Sequence, residues 1–238
     1  MARRALVEVV RRVRPDVDDP HSAIEAGEVQ VDGVIVTNPK SQVRDDARIV
    51  VKHAKELKGE AKLSAGLDAL ERPVEIEGRV ALDVGASTGG FTTELLRRGA
   101  RFVYAVDAGH GQLMGSLRQD PRVKNLESTN ASELSADLIP QALDVVTLDI
   151  SYSPLRAIVP GITSKLRYNP GATMIALVKP MFELQAGQLP TERADLERAV
   201  NSGETALDSA GWHVDQAIES PLRGNGGAIE FFLRATLH

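Results

Sequence analysis

Asp83-Val84-Gly85-Ala86-Ser87-Thr88-Gly89-Gly90-Phe91 decides how the rest of the chain is read. Apolar Val80-Ala81-Leu82 leads into it and a helix-compatible run carrying Leu95 and Leu96 follows, so the stretch is a loop between a strand and a helix. Residues without side chains let the backbone come close to a ligand, and the free N–H groups at a helix start can bind carboxylate or phosphate oxygens. A second apolar run ends at Asp107, 22 positions after Gly85, where a carboxylate can accept hydrogen bonds from ribose hydroxyls. Loop and acid together indicate an adenosine-containing ligand, although the same glycines would serve a plain tight turn and the same acid a surface loop.

Spacing narrows the ligand. The nicotinamide fingerprint asks for G-x-G-x-x-G, whereas the order here is Gly85-Ala86-Ser87-Thr88-Gly89-Gly90, and no lysine followed by serine or threonine completes a phosphate loop. An acid at Asp83, just before the first glycine, suits the ammonium group of an amino-acid cofactor and favours S-adenosylmethionine. The candidate cofactor contacts are therefore Asp83, Gly85, Ala86, Ser87, Thr88, Gly89, Gly90, Phe91 and Asp107.

Outward from the loop, short apolar runs at 80–84, 103–106, 145–150 and 174–178 alternate with helical stretches expected at 90–98, 112–118 and 192–210, followed by strand-like 212–218 and 229–234. That is the pattern of a parallel sheet in an α/β fold. The front of the chain has another texture. A helix-compatible pattern covers residues 3–13 and a second 20–26, closed by Gly27; then Val29 and Val31 alternate with polar residues, Asp32-Gly33 supplies a hairpin turn, and Val34 to Val36 return. Asp45-Asp46 turns the chain again before Ile49-Val50-Val51. The organisation expected is a small α+β domain over 1–51, a linker over 52–61 and a large domain over 62–238.

Composition bounds the function. Across 238 residues the apolar fraction is 42% and the charged fraction 26%, which places the chain among globular proteins. The absence of cysteine excludes disulfides, thiolate metal sites and a cysteine nucleophile, and fits a reducing cytoplasm. Five histidines without paired ligand spacing give no expectation of a metal. No apolar run approaches the ~20 residues needed to cross a bilayer, so no membrane partner is expected. A formal charge of −5 argues against a broad cationic surface, so any grip on nucleic acid must be local. Residues 1–58 carry 11 basic against 10 acidic side chains and residues 59–238 carry 17 against 23, which points to the front segment.

The chain resembles the TlyA, or haemolysin-A, family of ribosomal RNA 2′-O-methyltransferases, related to the FtsJ-type enzymes. The resemblance runs nearly end to end and is carried by residues 82–92 and 105–113, by Thr129-Asn130-Ala131, Leu148-Asp149-Ile150-Ser151-Tyr152, Val178-Lys179-Pro180-Met181-Phe182-Glu183 and Ser220-Pro221-Leu222. It implies a Rossmann-like class I methyltransferase fold, a mostly parallel sheet with an antiparallel C-terminal strand. It also implies an N-terminal alpha-L RNA-binding domain, carried by residues 26–33 and Asp45-Asp46, and a partner that is RNA, most directly ribosomal RNA or ribosomal subunits.

The family is associated with a Lys-Asp-Lys-Glu tetrad, and local motifs place its members at Lys62, Asp149, Lys179 and Glu230. Lys62 rests on Lys58-Gly59-Glu60-Ala61-Lys62-Leu63, where the family's arginine is replaced by Lys58. The chemistry asks for such a set, because a ribose 2′-hydroxyl is a poor nucleophile and must lose its proton as it reacts. Lys179, once deprotonated, would be the base, with Asp149 and Glu230 orienting it and Lys62 placing positive charge near the developing alkoxide. The resemblance also implies cofactor contacts for Asn130 and Asp149. Phe182, Phe231 and Phe232 are expected in the core. The alpha-L resemblance suggests Arg3, Arg4, Arg11, Arg12 and Lys40 as RNA contacts, although Asp18-Asp19-Pro20-His21 stands where that module is commonly basic, and residues 184–191 shorten a glycine-rich stretch of the family. The alternative is a non-catalytic RNA-binding or ribosome-assembly factor that keeps the fold.

Overall fold

Residues 3–15, 17, 19–25, 27–51 and 58–237 are described by a computed structural model. They divide into two units, Met1–Leu57 with Met114–Asp120, and Lys58–Leu113 with Pro121–His238.

In the front unit, β1 (Arg3–Ala5) runs into α1 (Leu6–Val13), followed by α2 (Pro20–Glu25), β2 (Val29–Val31), β3 (Val34–Ile35), β4 (Gln42–Arg44) and β5 (Ile49–Val51). Leu6, Val9 and Val10 are fully buried because spacings of three and four residues put them on one helix face, where they meet Ile24 and Val29. Asp32 and Gly33 both adopt positive φ, 50° and 87°, the turn that lets β2 and β3 pair as a hairpin. Residues 3–5 correct the expected helix over 3–13. They form a strand instead, because Arg3, Arg4 and Ala5 pair antiparallel with Arg44, Val43 and Gln42. β4 escaped the reading because Val43 is its only buried residue. Of the expected linker, 52–57 lie outside the described residues, as do Asp18 and Ala26, while 58–61 are helical.

The large unit opens with α3 (Lys58–Ala69) and continues with β6 (Val80–Val84), α4 (Gly90–Arg97) and β7 (Phe102–Val106). A short α5 (Gly115–Gln119) stands where a helix over 112–118 was expected and belongs to the segment grouped with the front unit. Then follow β8 (Val123–Leu126), β9 (Leu143–Leu148), α6 (Leu155–Lys165), β10 (Tyr168–Val178), α7 (Pro180–Glu183), α8 (Arg193–Ser209), β11 (Trp212–Glu219) and β12 (Phe231–Leu237). Seven strands form one sheet in the order β11-β12-β10-β9-β6-β7-β8. β10, β9, β6, β7 and β8 pair in parallel, and β12 inserts antiparallel between β10 and β11. All five residues of β6 are buried, as a central strand covered on both faces requires.

α3, α6 and β8 were not expected. Gly59 and Gly66 disguise α3, yet these positions need glycine: a β-carbon on Gly66 would lie 2.3 Å from the Phe232 ring, and Gly59 meets the start of α4, where one on Gly90 would lie 2.8 Å from the Gly59 α-carbon. In α6, Pro160-Gly161 interrupts a pattern whose Leu155, Ile158, Val159 and Ile162 are buried. β8 contributes only Leu126 to the buried core, too little for a visible apolar run. Among the described residues no helix is long and apolar enough to cross a membrane.

The loops after β6, β7, β9 and β10 leave the same edge of the sheet, the carboxyl ends of its parallel strands. In open α/β sheets that edge is where ligands bind.

Candidate active site

After β6 the chain turns sharply. The amides of Gly85 and Ala86 both donate to the Val106 carbonyl at 2.9 and 3.0 Å, and Gly85 takes φ = 89° with its α-carbon so close to β9 that a β-carbon would lie 2.3 Å from the Asp149 carbonyl oxygen. Only glycine meets both conditions. Asp107, at the end of β7, accepts the Ser87 amide at 2.8 Å on one carboxylate oxygen and the Gly109 amide at 2.7 Å on the other. The acid marked for ribose hydroxyls thus also clamps the loop, and its oxygens keep further lone pairs for a ligand. Ser87 and Thr88 are exposed, Ala86, Gly89 and Gly90 are buried, and the Phe91 ring turns into the core toward Phe232, with centroids 6.4 Å apart.

Asp83, marked as a cofactor contact, lies beneath the loop rather than on its surface. Its side chain is fully buried, and the hydroxyls of Thr92 and Thr147 donate to its two oxygens at 2.7 and 2.9 Å. Burial pushes its carboxyl up to about 7, an effect the two hydroxyls oppose and the Asp149 charge reinforces. So enclosed, it joins β6, β9 and α4 beneath the loop. The exposed loop, the amides opening α4 and Asp107 fit an adenosylmethionine cradle.

The four tetrad candidates form two lysine–carboxylate pairs. Lys179 Nζ lies 2.5 Å from Asp149 Oδ1 and donates to Ser151 Oγ at 2.5 Å. Lys62, from α3, donates to Glu230 Oε2. The antiparallel ladder of β10 and β12 ends at Val178 opposite Phe231, so one step further Lys179 comes opposite Glu230. These two residues line one cleft with Ser151, Met181, Phe182, Leu189 and Ile229. The lysine side chains are only 13% and 11% exposed, and Glu230 6%, so each charge is largely removed from water and relies on its partner. Phe182 lines the cleft, which corrects its expected place in the core; Phe232 is fully buried as expected.

Asn130 caps a short 3-10 turn, its Oδ1 accepting from Ser132 and its amide donating to Glu133, so its order is explained by the turn. Arg3, Arg4, Arg11, Arg12 and Lys40 are all exposed, but Arg4 and Arg12 reach the same Asp45 at 3.0 and 3.1 Å. That pairing holds the Asp45 carboxyl below the usual carboxylate range, the Arg12 hydrogen bond contributing most. Thr92, Thr147 and Ser151 were missed as site residues. Ser151 could have been found, because it stands two positions after Asp149 within a quoted motif.

The family model for FtsJ-like methyltransferases matches residues 58–236. The 16S/23S rRNA (cytidine-2′-O)-methyltransferase TlyA of Mycobacterium tuberculosis is 38% identical to the chain over 98% of this chain and 90% of its own. Hemolysin A of Brachyspira hyodysenteriae is 34% identical over 87% and 88%. A solved structure from Streptococcus thermophilus, described as a hemolysin, superposes with a TM-score of 0.68 at 26% identity, covering all of this chain and 89% of its own.

Proposed function

Since the chain belongs to the FtsJ-like methyltransferase family, we propose that it methylates a ribose 2′-hydroxyl of ribosomal RNA with S-adenosylmethionine as donor, cytidine being the target nucleoside as in the M. tuberculosis relative. The observation that carries this reading is the meeting of Lys179–Asp149 and Lys62–Glu230 at the end of the β10–β12 ladder, beside the glycine loop. A fold kept only as an RNA-binding scaffold has no use for two enclosed lysine–carboxylate pairs, each of which costs desolvation.

Bound adenosylmethionine supplies an electrophilic methyl group. The loop of residues 85–90 and the start of α4 hold the donor by backbone amides, and Asp107 accepts from its ribose hydroxyls. Asp83 acts through the loop by fixing β6 to α4. Lys179 in its neutral form takes the proton from the substrate 2′-hydroxyl, and Asp149 and Ser151 hold the amine in place before and after that transfer. Lys62, kept by Glu230, places positive charge toward the oxygen as it loses its proton. The cleft walls Met181, Phe182, Leu189 and Ile229 exclude water from the reacting groups. The front unit, with its exposed arginines and Lys40, supplies phosphate contacts that position the RNA. Such work places the protein in the cytoplasm, with ribosomal RNA or subunits.

The test is incubation with ribosomal subunits and methyl-labelled adenosylmethionine, followed by nucleoside analysis of the RNA. Label recovered as 2′-O-methylcytidine is expected; absence of transfer to free or assembled ribosomal RNA overturns the proposal.

A further inference from the structure

Glu183 closes the Lys179-Pro180-Met181-Phe182-Glu183 motif and touches no part of the cleft, yet it is buried to 3% exposure. One of its carboxylate oxygens accepts the amide of Leu155, the first residue of α6, at 2.8 Å, and the other accepts Ser202 Oγ of α8 at 2.7 Å. Its backbone amide donates to the Lys179 carbonyl at 2.9 Å, and its own carbonyl accepts Arg156 Nη1 at 3.1 Å. A buried carboxylate is costly unless its lone pairs are filled. Here a hydroxyl and the first amide of a helix fill them, an amide that has no partner within α6 and sits at the end of the helix that favours negative charge.

The consequence lies in what these bonds join. Asp149 and Ser151 stand on the segment leading from β9 into α6, and Lys179 caps the start of α7, the four-residue turn that Glu183 ends. A single turn has no stability of its own. We propose that Glu183 is the positioning residue of this site: by binding the start of α6 to α8 and to its own turn, it fixes the distance between Lys179 and its partners Asp149 and Ser151. This rests on the functional reading above for its kinetic expression, but the geometry it asserts is independent of activity.

The test compares full-length wild type with Glu183→Ala, Glu183→Gln and Ser202→Ala. Each is measured for kcat, for KM toward donor and RNA, and for the ¹³C signal of Lys179 after reductive methylation, assigned with Lys179→Arg. Misplacing a reacting group by an ångström lowers rate more than binding, so Glu183→Ala should lose about tenfold or more in kcat with both KM values within about twofold, and its Lys179 signal should move. Glu183→Gln should recover kcat to within about threefold, because its carboxamide oxygen accepts from Leu155 and its NH₂ group donates to Ser202. Ser202→Ala should fall between the two. An Ala variant with a lower Tm but wild-type kcat and an unmoved Lys179 signal overturns the proposal. If Glu183→Ala fails to fold, an unchanged kcat and signal in Ser202→Ala overturn it equally. If wild type itself transfers no methyl group, the functional reading fails separately and the Lys179 signal alone decides: movement supports positioning, its absence overturns it.

Discussion

Lys179 and Lys62 keep 13% and 11% of their side-chain exposure and each holds a carboxylate of its own, whereas Arg4 and Arg12 in the front unit, 55% and 48% exposed, share one. The difference is one of dielectric. A charge enclosed in protein interacts strongly with a fixed partner, while exposed pairs are weakened by water and salt and exchange partners easily. Enclosed pairs suit proton transfer at a fixed place; exposed ones suit a phosphate backbone that arrives in many registers.

Lys179→Ala strikes the enclosed set hardest. It is expected to lower kcat by about 10³-fold or more, the scale of a lost general base, while donor affinity measured by calorimetry stays within about twofold. Activity persisting within tenfold would place the base elsewhere and dissolve the contrast between the two regions.

A second probe sits beneath the loop. The Asp83 carboxyl, raised to about 7 by burial, adds stability that is full below its unfolded value near 3.8 and is lost as pH rises through about 7, where the buried group must ionise. Asp83→Asn, which cannot ionise, should therefore gain on wild type between pH 5 and pH 8 by on the order of 1 to 2 kcal/mol in denaturant unfolding. A pH-independent difference would show that Asp83 stays charged in its enclosure.

The smallest effects belong to the exposed pair. Arg12→Ala should weaken RNA binding about threefold and reduce the salt slope by about one, as for a single phosphate contact. Asp45→Asn should do the reverse at low salt, by releasing both arginines from their shared partner. Equal binding in both variants would remove this face from the RNA contacts.

The parallel sheet was legible because β6, β7, β9 and β10 are buried on both faces and so appear as continuous apolar runs. The loop was legible because its glycines answer local demands, a positive φ at Gly85 and at Gly89. What stayed hidden depends on partners distant in sequence. α3 looks like a linker until Phe232, far along the chain, requires Gly66; β1 looks helical until Val43 arrives to pair with Arg4. The four tetrad candidates were picked out by their motifs, yet that Lys179 comes opposite Glu230 depends on the register of β10 against β12. Asp83 shows a contact that sequence position alone does not reveal. Its position before the loop suggests a ligand contact, and only the folded chain reveals that the hydroxyls of Thr92 and Thr147 also bind it.

The insertion of β12 between β10 and β11 also has a meaning in time. Segments nearer the N-terminus leave the ribosome first, so β6 through β10 can assemble with the loop and the Lys179–Asp149 pair while the sheet edge is still open. Glu230 takes its place opposite Lys179, and Lys62 gains its carboxylate, only when β12 pairs with β10 at that edge. Both lysine–carboxylate pairs are therefore complete only once β12 is seated, and on the proposed function the onset of methyl transfer during refolding is expected to follow closure of the sheet.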